Sequence, residues 1–432
     1  MTRFRMVVVA AVALGAFFLG GWLLRRGMEA VPARATSPVV PSGGSRLFTE
    51  VFEKVRSFAV DSLGESTIYR LAASGMLDEL SDPYAALVAD RDTVRPRDQI
   101  GAAPVQGLYL DQVDGLVTVV SVIPGSPAAT AGVRAGDVVL RIDSTQIASQ
   151  RPEEVGRLIG GTDGSTVRIR LGREGADAPL WVTVTRGAVP PIPAAEISAL
   201  GGGLAALRVH QVDSAAVRQL ERAVDSASAS GLVVDLRGAV EGTLADAVAF
   251  ADVLLGPGQT IVVTRGRPKA DSSAFVDRTP ARRPELPVVV LVDRGTAGVA
   301  EVVAGALQDH DRAAVVGEPT FGRGARSSYF PVGRGYSLRL TTSVWVTPSG
   351  RVIQRFPPEP KPDGSIDTTA VRPKFKTDAG RVVLGGGGIV PDREIPLEPE
   401  ASRKTDAAMA LARQLLAKAP NRKALIAALA TN

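Results

Sequence analysis

The chain has no cysteine. That excludes thiol catalysis, disulfides and cysteine-based metal sites. Histidine is almost as scarce. Only His210 and His310 occur in 432 residues, too few for a histidine-rich metal centre. A dominant charge is missing too: 50 Lys and Arg against 45 Asp and Glu leave a formal +5. The two signs are interleaved along most of the chain, which gives no case for nucleic-acid binding. No cofactor or metal is expected. What remains is ordinary globular composition, 45% hydrophobic and 22% charged, at a length that calls for two or three domains.

The first segment is the exception. Residues 6–24, "MVVVAAVALGAFFLGGWLL", carry no charge. At about 1.5 Å per residue such a helix nearly spans a ~30 Å hydrocarbon core. It reads as a single-pass membrane anchor. Arg3 and Arg5 before it and Arg25 and Arg26 after it nearly balance, so charge sets no firm orientation. The rival reading is a cleaved signal peptide, with "ARA" at 33–35 as the cleavage site.

Texture then divides the chain. Residues 1–29 read as a cytoplasmic stub plus anchor, and 30–45, rich in Pro, Ser and Gly, as an extended linker. Residues 46–100 read as a helical segment, because Phe48, Val51, Phe52, Val55, Phe58 and Ala59 recur at spacings of three and four. A second short helix is expected around 68–80. Residues 101–189 turn to short alternating runs, "LVTVVSVI", "TVRIRL" and "LWVTVTR", with one short helix at "PEEVGRLIG". Residues 190–400 alternate apolar strands with helices, the pattern of a helix-covered sheet. Within them, 355–380 reads as an irregular loop. Residues 401–432 read as a basic helix and a short tail. The fold class is α+β or αβ.

The β-rich module resembles a PDZ domain. "GLYL" at 107–110 sits where that family has its Gly-Leu-Gly-Phe loop, and "VIPGSPAATAGVRAGDVVLRIDSTQI" follows as turn, helix and strand. The resemblance implies peptide binding by Gly107, Leu108, Tyr109 and Leu110. Backbone N–H groups there would hold a terminal carboxylate while the strand edge adds the peptide. The alternative is a PDZ fold used only for packing or dimerisation.

The chain after the anchor resembles the carboxyl-terminal processing peptidases, or tail-specific proteases. The matching motifs are "VVDLRG" at 233–238, "VAGALQDHDRAAVVGEPTFGRG" at 303–324, "TPSGRVIQ" at 347–354 and "GGGGIVPD" at 385–392. The resemblance implies a serine endopeptidase with a Ser nucleophile, a Lys general base and a Gln that orients the Lys. At those positions this sequence has Gly298, Arg323 and Ser327. Glycine has no hydroxyl. Arginine keeps its proton, with a pKa above about 12, so it cannot act as a base. The oxyanion segment reads "AVEG", which places Glu241 before Gly242. A carboxylate there opposes the charge that would develop on the substrate. The expectation is that no catalytic set is intact.

Displaced nucleophiles remain as alternatives: Thr296, Ser327 and Ser328, with His310 and His210 read as structural. For Arg323 two uses stand open, pairing with Glu241 or Glu301, or gripping a peptide carboxylate. The expected partners are protein C-terminal tails or unfolded polypeptides, the membrane, and either a second copy or an active relative. From the resemblance, the main body is expected outside the cytoplasm.

Overall fold

The computed structural model describes residues 43–80, 82–89, 104–113, 115–147, 150–226, 230–267, 272–356, 372–395 and 406–429. Residues 1–73 and 74–432 form two compact units. In the first, α1 (Gly43–Phe58) buries Phe52, whose ring stacks on Tyr69 of α2 (Glu65–Asp78) with centroids 4.5 Å apart. The apolar run at 6–24 lies outside the described residues. Among the described residues, no helix is long and apolar enough to cross a membrane.

The second unit opens with β1 (Ala86–Ala89), a strand inside the stretch read as helical. The PDZ-like module follows. Its strands β2 (Leu108–Val113), β3 (Leu116–Val122), β4 (Val138–Ile142), β6 (Thr166–Gly172) and β7 (Leu180–Thr185) form one antiparallel sheet in the order β2-β3-β4-β6-β7. β5 (Thr145–Gln146) pairs with β4. Alternation decides the inward face, as Val167, Ile169 and Leu171 of β6 are fully buried while their neighbours are not. Helices α3 (Pro127–Thr130) and α4 (Pro152–Ile159) close this core, and Val155 and Ile159 reach into it.

The αβ core holds two larger sheets. The first contains β8 (Ala195–Gly201), β9 (Leu204–Val209), β11 (Gly231–Asp235), β15 (Val288–Val292), β16 (Ala314–Gly317) and β21 (Arg393–Glu394). All pairings are parallel except β8 with β9. β11 and β15 are buried along their whole length, as strands covered on both faces must be. Helices α5 (Ser214–Asp225), α6 (Leu244–Asp252) and α7 (Val299–Asp309) share one cluster with the sheet. Helices α8 (Ala407–Lys418) and α9 (Arg422–Leu429) cover the opposite face. The final stretch is therefore not a plain tail, because Leu425 and Leu429 are buried in that second cluster. The second sheet is antiparallel, β1-β18-β13-β14, made with β13 (Thr260–Gly266), β14 (Ser273–Val276) and β18 (Tyr336–Val346), and β17 (Ala325–Gly333) pairs with β18. The stretch read as an irregular loop contains β19 (Lys374–Lys376), which pairs with β20 (Val382–Leu384).

Asp277, just past β14, is buried and lies close to Asp252 at the end of α6. Thr279 links them: its N–H donates to Asp277 at 2.8 Å and its hydroxyl to Asp252 at 2.6 Å. Burial, reinforced by Asp252, pushes the Asp277 carboxyl up to about 6. The folded chain therefore keeps on Asp277 a proton that the unfolded chain releases near pH 4, and the contribution of this group to stability is lost as pH rises from about 4 to about 6. Thermal unfolding across pH should show the stability of the natural protein falling relative to that of Asp277→Asn over this range. The gap between the two should be constant above about pH 7.

Candidate active site

Three neighbouring parallel strands end on one side of the sheet, where αβ folds place ligand sites. β11 leads into 236–242, β15 into the turn before α7, and β16 into 318–324. The turn after β15 is sharp. Gly298 is the cap of α7, with φ 64° and ψ −122°, a conformation that a side chain with a Cβ adopts only under strain. α7 follows directly and is buried along its whole length. Its small residues permit that. A Cβ at Gly305 would come within 2.9 Å of Ile389 and Thr347.

Glu301, on the first turn of α7, is fully buried and joins the turn to the third loop. Its carboxylate accepts the N–H of Gly298 at 2.9 Å, of Gly322 at 2.7 Å and of Arg323 at 2.8 Å, and the Thr320 hydroxyl. Burial pushes this carboxyl up, against four donors that favour the anion. One of its oxygens, Oε2, thus receives the amides of both positions that the resemblance assigns to nucleophile and base.

The backbones of that pair meet; the side-chain chemistry does not. Gly298 offers no atom to attack with. The Arg323 side chain leaves Glu301, contrary to the expected pairing with Glu241 or Glu301. It forms an ion pair with Asp111 on β2 and stacks over the Tyr84 ring, 4.3 Å from its centroid. Long-range pairing to a different domain has no local trace in sequence. Burial alone would lower the guanidinium pKa, but Asp111 outweighs it and the net direction is up. Burial, helped by Asp111, pushes Tyr84 up to about 12. Neither group is a base at neutral pH.

The Thr296 and Ser328 hydroxyls are engaged elsewhere. Thr296 is buried, donates to the Leu236 carbonyl at 3.0 Å and accepts the Asp293 N–H at 3.0 Å. Ser328 shares a hydrogen bond of 2.9 Å with Thr342. Ser327 is buried on β17 opposite Thr341. His310 caps the far end of α7, roughly 18 Å from Gly298 at about 1.5 Å per residue. Its ring nitrogens lie 2.7 Å from Asp378 and 2.7 Å from the Thr260 carbonyl. His210 lies between β9 and β10 (Gln211–Val212), where burial and Arg208 lower its pKa.

The oxyanion segment is held by its own neighbours. Gly238 N–H donates to Asp293 at 2.8 Å, and Ala297 N–H to the Ala239 carbonyl at 3.0 Å. Glu241 and Gly242 form β12, paired with β10. Gly242, at φ 145°, leaves no room for a Cβ, which would fall 2.2 Å from the Val212 carbonyl oxygen. Gln354, the last residue of "TPSGRVIQ", accepts the Gly324 N–H at 3.1 Å and was not singled out by sequence.

In the PDZ-like module, Gln106 and Gly107 both have positive φ and make a two-residue turn. A Cβ at Gly107 would overlap Ser126. Leu108 and Leu110 point into the module's core. The Leu108 N–H already donates to the Val105 carbonyl at 2.9 Å. Tyr109 faces the other way, onto Val240, Ala297 and Phe321 of the protease-like core.

With this geometry in view, comparison with known proteins is decisive. A carboxy-terminal-processing protease of Bartonella bacilliformis is 33% identical over 315 residues, covering 71% of this chain and 72% of the relative. This chain belongs to the carboxyl-terminal processing protease family. The profile of peptidase family S41 matches residues 203–363 and that of a PDZ domain residues 118–173. Carboxy-terminal processing protease CtpB of Bacillus subtilis is 25% identical over 374 residues, 82% of this chain and 76% of the relative. The photosystem II D1 C-terminal processing protease shares the fold, with TM-score 0.62 at 24% identity over 87% of this chain and 97% of that one. The chain is thus a mixed α/β member of the family, a PDZ domain joined to an S41 core.

A hydroxymethyl group at the turn would have to accept its positive φ. Gly298→Ser should cost about 1–3 kcal/mol of stability, read by urea unfolding, and should yield no peptide hydrolysis while Arg323 remains.

Proposed function

We propose that this protein is a catalytically silent member of its family that recognises protein C-terminal tails or unfolded segments through its PDZ domain. One observation carries the reading: the two amides that meet at Glu301 belong to a glycine and to an arginine already committed to Asp111. A hydrolase of this class needs a hydroxyl and a base that can take its proton. Glu241 adds an unfavourable charge to the oxyanion segment. Tail binding rests on the PDZ assignment and on the turn that ends at Gly107. An incoming carboxylate has to displace the Val105–Leu108 hydrogen bond, so the affinity should be modest.

We further propose that residues 6–24 tether the protein to a membrane, with the domains outside the cytoplasm, and that it works beside a second copy or an active relative. Support comes from the uncharged apolar run and from the family's character. A second reading, an active serine endopeptidase with a displaced nucleophile, draws on the relatives, which are named as proteases.

The full chain in detergent should leave an unstructured protein with an apolar C-terminus uncut, and should bind a peptide with that terminus. Amidating the peptide's carboxylate should abolish binding. Cleavage that survives repurification would refute the silent reading, and equal binding of the amidated peptide would refute the PDZ mode.

A further inference from the structure

Strand β2 carries two faces. Leu108 and Leu110 build the PDZ core, whereas Tyr109, Asp111 and Val113 point at the protease-like core. Tyr109 stands at the third position of the loop, where the PDZ pattern has glycine, and a glycine could reach nothing there. Its ring joins Val120 and Ile123 of the module to Val240, Ala297 and Phe321 of the core. Val240 lies in the oxyanion segment, Ala297 precedes Gly298, and Phe321 is two residues before Arg323. Two residues along, Asp111 is almost fully buried and meets the Arg323 guanidinium, with Tyr84 stacked beneath it. Around this centre the Ser121 hydroxyl donates to the Gly238 carbonyl at 2.8 Å, and Arg339 of the core reaches Glu153 of α4 at 2.7 Å.

We propose that Arg323 is an interdomain latch: with Asp111 and Tyr84 it fixes the orientation of the PDZ domain on the protease-like core. The residue type explains the choice. A guanidinium presents a planar fork and an aromatic-stacking face, and so satisfies a carboxylate and Tyr84 together; an ammonium at the same place is a compact point charge. Burial of both partners makes the pair all-or-none, since removing one leaves the other charged and unpaired in a dry site. Arg323 positions one domain on the other. This inference stands on its own contacts, so a finding of hydrolysis would overturn the silent reading without touching it.

The chain has no cysteine, so spin labels can be placed at will. Asp177→Cys on the PDZ domain and Ser198→Cys on the core are both at exposed positions. The distance distribution between the labels, measured by pulsed electron resonance on the full chain in detergent, should be a single narrow peak. Asp111→Asn and Arg323→Lys should each roughly double its width, and the double variant should broaden it no further, because both substitutions break one shared contact. An unchanged width in folded Arg323→Lys would overturn the latch. If Asp111→Asn fails to fold, Arg323→Lys decides alone. Fully additive broadening in the double variant would also contradict the proposal.

Discussion

A single buried carboxylate organises this site. Glu301 is fully buried, and four donors from two separate chain segments satisfy its carboxylate. An unsatisfied anion at that depth would be far too costly to keep. The turn at Gly298 and the loop 320–323 are therefore held in one geometry, whatever side chains they carry. That explains how the frame of the family's site is kept with a glycine at 298 and an arginine at 323. The frame is secured by backbone amides, and amides are indifferent to whether residue 298 has a hydroxyl or residue 323 an ammonium.

The Arg323 side chain is held by packing and charge: Asp111 pairs with it and Tyr84 stacks on it. A buried ion pair is not by itself a large source of stability, since desolvation offsets most of the attraction. Its value lies in specificity. Asp111 and Tyr84 accept a guanidinium in one orientation, and the apolar contact of Tyr109 with Val240, Ala297 and Phe321 adds a dry, shape-dependent surface beside it. Together they hold β2 against the protease-like core beside Gly298 and Arg323.

Much of this was legible in sequence. Uninterrupted apolar runs at 232–234 and 288–292 give central strands because both faces are covered. The glycine-rich turn before α7, the absent hydroxyl at 298 and the arginine at 323 can be read directly. What could not be read depends on distance along the chain. Asp111 lies 212 residues from Arg323, and no local pattern announces their meeting. β1 is only four residues long and exists because β18 offers it an edge. The helix over Arg422–Leu429 looked like a tail, as its apolar face has meaning only against the sheet beneath it. Tyr109 read as a loop residue for peptides, and its packing onto the core became visible only in three dimensions.

The most direct test of the account is intact-protein mass after prolonged incubation of the full chain with a serine-reactive fluorophosphonate, beside an active family member treated identically. An unchanged mass here, with a stoichiometric adduct on the active relative, is the expected result. A stoichiometric adduct on this protein, mapped to any serine or threonine, would contradict it.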